Sequence, residues 1–284
     1  MSRKFLFLAL VVLTLVMFAC KNPASNNPDD NLEPDTSGDP DNNGGGNGGG
    51  TDDPIPGYYP EFPTDGQTSS PTELGFTDVR FAEFTGDGAI RTTSPGGGGN
   101  KSTFSTPRFD PLSRDESGGI VLRYSLTFPA PLGEVTEAQY KDNNRSWLFL
   151  HDAEGGIAYT IMYRPKLANA PDVADIVFYV GNPFEDGTEI EFGGTGRSPV
   201  IGDDARPVTI GLVLYPTSEA EGVGRIELLF DAGDGQGEST YFLTNDNSAR
   251  TFDRLSFRYR TGTGNLRRFY LLFSNLQFRP VSED

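Results

Sequence analysis

The chain has 284 residues, a net charge of −17 and a single cysteine. Forty Asp and Glu against 23 Lys and Arg argue against nucleic acid and against a surface that binds anionic lipid headgroups. One cysteine excludes an internal disulfide, and one histidine, His151, excludes a multi-histidine zinc centre.

The first nineteen residues read as a secretory signal. Arg3 and Lys4 form a short positive region, and Phe5 to Phe18 form an apolar run too short for a comfortable membrane span. Ala19 is the small residue that cleavage requires, and Cys20 follows it. "LVMFAC" resembles the lipobox of bacterial lipoproteins, with Met17 where leucine is usual. The resemblance implies cleavage before Cys20, a diacylglycerol on its sulfur, and a membrane anchor at the cell envelope, with the outer membrane as the expected site. The remaining readings are an ordinary secretory signal with an incidental cysteine, and an uncleaved anchor.

Residues 20–72 follow as a tether. Asn, Asp, Gly and Pro dominate, as in "NNPDDNLEPDTSGDPDNNGGGNGGG", so the segment cannot bury enough apolar surface to offset its conformational entropy. A flexible chain of ~50 residues reaches roughly 40 Å. "GYYPEFP" at 57–63 reads as aromatic linker, with docking on the domain as the alternative. Residues 21–73 hold eleven Asp and Glu against Lys21, whereas residues 74–284 hold 29 against 20 Lys and Arg.

From about residue 73 to 284 short β-branched and aromatic runs recur between Gly, Pro, Asn and Asp: "DVRFAEFTG", "GGIVLRYSLTFP", "RSWLFLHD", "GIAYTIMYRP", "ADIVFYVG", "TEIEFGG", "RPVTIGLVLYP", "GRIELLFDAG", "RLSFRYRTG" and "RRFYLLFSNLQFRP". Ile120, Leu122, Tyr124, Leu126 and Phe128 alternate with Val121, Arg123, Ser125 and Thr127; Leu255, Phe257 and Tyr259 alternate with Arg254, Ser256, Arg258 and Arg260. "GEVTEAQYKDNN" at 133–144 is the best helix candidate. Around ten half-buried strands predict one all-β domain, a two-sheet antiparallel β-sandwich, expected as a monomer.

The succession "SWLFLHDAEGGIAYTIMYRP", "RPVTIGLVLYP", "GRIELLFDAGDG" and "FDRLSFRYRTGTGNLRRFYLLFSNLQF" resembles the concanavalin A-like jelly roll of laminin-G-type lectin and glucanase domains. That resemblance implies a glycan site on the concave sheet. Ser274 and Asn275 stand where many relatives carry an Asp in the closing strand, which argues against calcium at that position. Laminarinase-like glucanases carry acidic residues at three alternate strand positions; here Glu189 and Glu191 occupy two and Gly193 the third. A solvated strand face is the expected role of that pair.

His151, with Tyr159 or Tyr163 and Arg164, has the residue types of a polysaccharide lyase, although a loop histidine is the plainer expectation. "DAGDGQGE" offers Asp231, Asp234 and Glu238 on a tight turn as a candidate calcium site, or simply a hairpin turn. "SPGGGGNKST" at 94–103 lacks the features of a phosphate loop. Arg254, Arg258 and Arg260 share a strand face, where pairing with neighbouring acids is expected and an acidic polysaccharide is the alternative.

The sequence thus predicts a lipid-anchored β-sandwich acting as a non-enzymatic binding module, for glycan on the fold resemblance. Trp147, His151, Tyr159, Tyr163 and Arg164 form the predicted patch. The alternatives are a glycoside hydrolase or polysaccharide lyase of the same fold, and an adhesion lipoprotein that binds protein.

Overall fold

The computed structural model describes residues 57–93, 101–130, 145–164, 176–185, 187–191, 197, 202–218, 223–246, 251–260 and 270–281. Cys20, the signal, the tether up to residue 56, the helix candidate at 133–144 and Gly193 lie outside them.

Fifteen strands occur among the described residues: β1 (Thr77–Arg80), β2 (Ala82–Phe84), β3 (Ala89–Thr93), β4 (Ser102–Ser105), β5 (Leu112–Ser113), β6 (Ile120–Thr127), β7 (Arg145–Asp152), β8 (Ile157–Tyr163), β9 (Ile176–Val180), β10 (Thr188–Glu191), β11 (Val208–Ser218), β12 (Val223–Asp231), β13 (Ser239–Asp246), β14 (Thr251–Arg260) and β15 (Tyr270–Pro280). They form two antiparallel sheets. The first runs β1-β4-β14-β7-β8-β9-β10, with β5 also on β14; the second runs β13-β12-β11-β6-β15-β3-β2. The chain crosses repeatedly from one sheet to the other, so strands distant in sequence pair, as β6 with β15 and β7 with β14. This is a jelly-roll sandwich.

Alternation decides which side chains fill the space between the sheets. The first sheet contributes Phe104, Leu148, Leu150, Tyr159, Ile161, Tyr163, Phe178, Leu255, Phe257 and Tyr259, and the second contributes Ile90, Leu122, Tyr124, Leu126, Ile210, Leu212, Ile226, Leu228, Phe230, Phe273 and Phe278. Each such side chain stabilises the fold by about 1.5–3 kcal/mol relative to exposure. Rings touch across the gap: Phe257 and Phe273 lie 4.9 Å apart, and Tyr163 and Phe230 lie 5.8 Å apart.

The predicted boundary at residue 73 is too late. Tyr58 exchanges both backbone hydrogen bonds with Phe278 on β15, at 2.7 and 3.0 Å. Phe62 lies in the core against Phe76, Phe84 and Phe273. Ser69 bridges to Phe84, and Ser70 caps a 3-10 turn over Pro71–Leu74. Tyr58 and Phe62 of "GYYPEFP" are therefore edge and core residues of the sandwich, not linker. Phe62 fills the gap beside β2 and β15 and Tyr58 stacks on Phe109, whereas Tyr59 is exposed.

A buried arginine ties the second sheet to β8. Arg114 is 1% exposed. Its Nε donates to the Tyr215 carbonyl at 2.7 Å, Nη1 to Tyr159 Oη at 3.2 Å and Nη2 to the Arg225 carbonyl at 3.3 Å. Gly224 makes room for it: a Cβ there would lie 2.2 Å from Arg114 Nη2.

Candidate functional site: the outer face of the first sheet

Strand register defines the outer face of the first sheet row by row. One row runs Ser105, Ser256, Phe149, Thr160, Tyr179 and Glu189 from β4 to β10. The next runs Thr103, Arg258, Trp147, Met162 and Val177. On the other side of the first row, Arg254 faces His151 across the β14–β7 ladder. Arginines, a histidine, hydroxyls and aromatic rings thus share one face because they occupy alternate positions on strands whose other positions fill the core.

The predicted patch is divided between the two sides of this sheet. Tyr159 and Tyr163 are each 1% exposed and belong to the interior. The cause is register: Tyr159 pairs with Leu150 and Tyr163 with Ser146, which leaves Met162 beside Trp147 and Thr160 beside Phe149. Trp147 and His151 do reach the outer face, but they are buried there. Arg164 follows the end of β8 and is half-buried. The histidine–tyrosine–arginine set considered for a lyase is therefore not brought together, since its tyrosines point into the sandwich.

Beside the half-buried Tyr179, this face presents the ring of Phe184, in the connection between β9 and β10. That connection folds back over the sheet, where Gly181 accepts a hydrogen bond from Thr160 Oγ1 at 3.0 Å. Phe184 is 38% exposed, with Trp147 at 5.8 Å and Phe149 at 6.3 Å from its centroid. The guanidinium of Arg258 lies 4.6 Å from the same centroid and Lys101 Nζ lies 5.9 Å from it. Trp147 is the support of the exposed ring rather than the exposed ring itself. Loop residues show no periodicity, so no sequence signal marked Phe184.

His151 is held neutral. Burial, and then the charges of Arg254 and Arg108, push its pKa down to about 3. Arg254 Nη2 donates to His151 Nδ1 at 3.3 Å. A guanidinium cannot accept, so Nδ1 is the bare nitrogen and Nε2 carries the hydrogen. Nε2 contacts Ser256 Oγ and is the donor there. A nucleophilic serine needs the opposite polarity, with Nε2 accepting and a carboxylate at Nδ1. His151 and Ser256 are thus a hydrogen-bonding pair and not a base with its nucleophile.

The candidate calcium ligands are engaged by arginines. Arg197 sits between two of them, with Nη2 2.5 Å from Asp234 Oδ1 and 3.5 Å from Asp231 Oδ1. It also holds Asp234 down to about 2. Glu238 turns away to Arg123, at 2.9 Å. Among the described residues no three acidic, histidine or cysteine side chains form a metal-holding group. Both aspartates serve the hairpin turn: Asp231 accepts from the Gly233 amide at 2.9 Å and Asp234 from that of Gln236 at 2.9 Å.

A shallow cavity of about 310 Å³ lies elsewhere, between Tyr59–Phe62 and Asn275–Gln277 on β15, a strand of the second sheet.

No protein-family model matches the chain, and no curated protein matches it. Solved structures do show likenesses. The PL-14 alginate lyase from Aplysia kurodai is 13% identical over 68% of this chain and 83% of its own, with a TM-score of 0.43. The calcium-bound exoplasmic/lumenal domain of VIP36 is 11% identical over 79% and 91%, with a TM-score of 0.49. Winged bean acidic lectin, complexed with methyl-α-D-galactose, is 9% identical over 72% and 91%, with a TM-score of 0.44. The functional reading rests on this chain's own side chains.

Proposed function

We propose that this chain is a non-enzymatic glycan-binding module of the cell envelope, that its binding surface is the outer face of the first sheet, and that Cys20 carries the lipid that anchors it. One observation carries the binding site: Phe184 presents a partly exposed ring, braced from beneath by Trp147 and Phe149, on a face that also holds Ser256, Arg254 and Tyr179. Flat apolar rings take the C–H face of a pyranose, and flanking polar groups fix its hydroxyls. Rigid strands hold these polar groups, and the buried Trp147 and Phe149 hold the ring.

The anchor reading rests on the signal-like residues 1–19 and on the only thiol in the chain. A Cys20→Ala chain loses labelling by a fatty-acid analogue if it is right; undiminished labelling refutes it. For the binding site, retention on polysaccharide affinity gels falls in Phe184→Ala and Tyr179→Ala. Neither residue belongs to the central core cluster, so both variants fold. Retention unchanged in both, or no retention on any polysaccharide, moves the reading to adhesion to protein.

A further inference from the structure

Five arginines sit in short, specific ion pairs: Arg108 with Asp253, Arg123 with Glu238, Arg197 with Asp234, Arg225 with Glu227 and Arg91 with Glu83. The outer face of the first sheet is different. Arg254 and Arg260 on β14 and Arg145 on β7 make no ion pair among the described residues, although the sequence led to the expectation that the β14 arginines would pair with neighbouring acids. Arg254 and Arg260 are half-buried and Arg145 is exposed.

Their placement is unfavourable without an anion. Arg260 stands directly opposite Arg145 in the β14–β7 ladder, and like charges directly opposite destabilise a sheet. The Nε of Arg254 is buried with no hydrogen-bond acceptor, and its Nη2 is spent on a neutral imidazole. An unsatisfied buried donor on a charged group is costly, and an anionic acceptor removes that cost. In a chain with 40 acidic residues, three guanidinium groups on one face without an ion-pair partner among the described residues are not forced by composition.

Resting on the reading that this face binds glycan, we propose that the glycan is a polyanion, carrying carboxylate or sulfate groups at repeating intervals. The guanidinium fork matches the planar or tetrahedral oxyanion. Arg260 lies six positions along β14 from Arg254, roughly 20 Å, so the arginines meet successive charges of a chain rather than one small acid. The overall negative charge of the protein does not prevent this, because charges more than about 8–10 Å away are screened at physiological salt. Nucleic acid is the competing polyanion, and three arginines are too few for the many phosphate contacts from which its affinity comes.

The test is affinity electrophoresis of the full chain through gels containing polygalacturonate, dextran sulfate, unsubstituted dextran or single-stranded DNA. The expected result is retention by polygalacturonate or dextran sulfate, weakening with salt and reduced about tenfold in Arg254→Gln and in Arg260→Gln. Arg145→Glu, at an exposed strand end, gives the same direction with no risk to the core. Whichever of the two acidic polymers retains the chain identifies the anion as carboxylate or sulfate. Equal retention by unsubstituted dextran, unaffected by the three substitutions, overturns the anion proposal and leaves the glycan reading standing. Retention by DNA alone overturns both, and so does no retention in any gel.

Discussion

The imidazole of His151 donates from Nε2 to the hydroxyl of Ser256 on the adjacent strand, because Arg254 occupies its other nitrogen. One buried residue thereby links β7 to β14 at the centre of the candidate face. Its neutrality has a measurable consequence. The folded pKa is about 3, against about 6.5 in the unfolded chain. The unfolded state therefore binds more protons between those values. The stability His151 confers is complete above about pH 6.5 and is lost as pH falls towards 3. The melting temperature of the wild-type chain should fall between pH 7 and pH 4, and His151→Gln should flatten part of that fall. An identical pH profile in the variant would show that His151 is not buried in neutral form.

The start of the folded domain is tested by truncation and by one substitution. Removing residues before 57 should leave the melting temperature unchanged, whereas removing those before 73 strips Tyr58 from β15 and Phe62 from the core. Phe62→Ala should cost about 3 kcal/mol, in the range for a buried ring. Equal stability of the two truncated chains would mean that the 57–72 segment does not belong to the sandwich.

Much of this architecture was legible in the chain. The alternation of Ile120, Leu122, Tyr124 and Leu126 against Val121, Arg123 and Ser125 did place the first set in the core, and that of "RLSFRYR" did put Arg254, Ser256 and Arg258 outside. Periodicity shows which residues of one strand share a face. It does not show how two strands align, so the β7–β8 register, shifted at Leu150 and His151, remained hidden and Tyr159 and Tyr163 were misplaced. Phe62 and Phe184 lie outside regular strands and had no pattern to reveal them. Asp231, Asp234 and Glu238 looked like metal ligands because Arg197 and Arg123, distant in sequence, could not be paired with them in advance.

Arginine occupation of the turn carboxylates predicts calcium indifference there. Millimolar calcium should not shift the melting temperature through Asp231, Asp234 or Glu238. Asp234→Asn should cost about 1 kcal/mol, because the pair with Arg197 is partly open to solvent, which screens it. Arg197 depresses Asp234, so this contribution is present above the ordinary carboxylate range and disappears as pH falls through about 2. A calcium-induced rise in melting temperature that is absent in Asp234→Asn would contradict the assignment.

The buried guanidinium of Arg114 occupies the space that a side chain at Gly224 would need. Gly224→Ala forces Arg114 to give up hydrogen bonds to Tyr215, Tyr159 and Arg225, at a cost of about 1–3 kcal/mol each. In a double-mutant cycle with Arg114→Ala the two losses should be far from additive, since both remove the same contacts. Additive losses would mean that the alanine methyl is accommodated without moving Arg114.

Trp147 is the only tryptophan in the chain and lies 5.8 Å from Phe184, at the centre of the candidate face. Its fluorescence therefore reports directly on that surface. Titration of the full chain with a polysaccharide that retains it in gels should produce a saturable change in Trp147 emission. Arg254→Gln should move the midpoint to higher concentration. Binding that leaves Trp147 emission unchanged would place the ligand elsewhere on the molecule and contradict the assignment of this face.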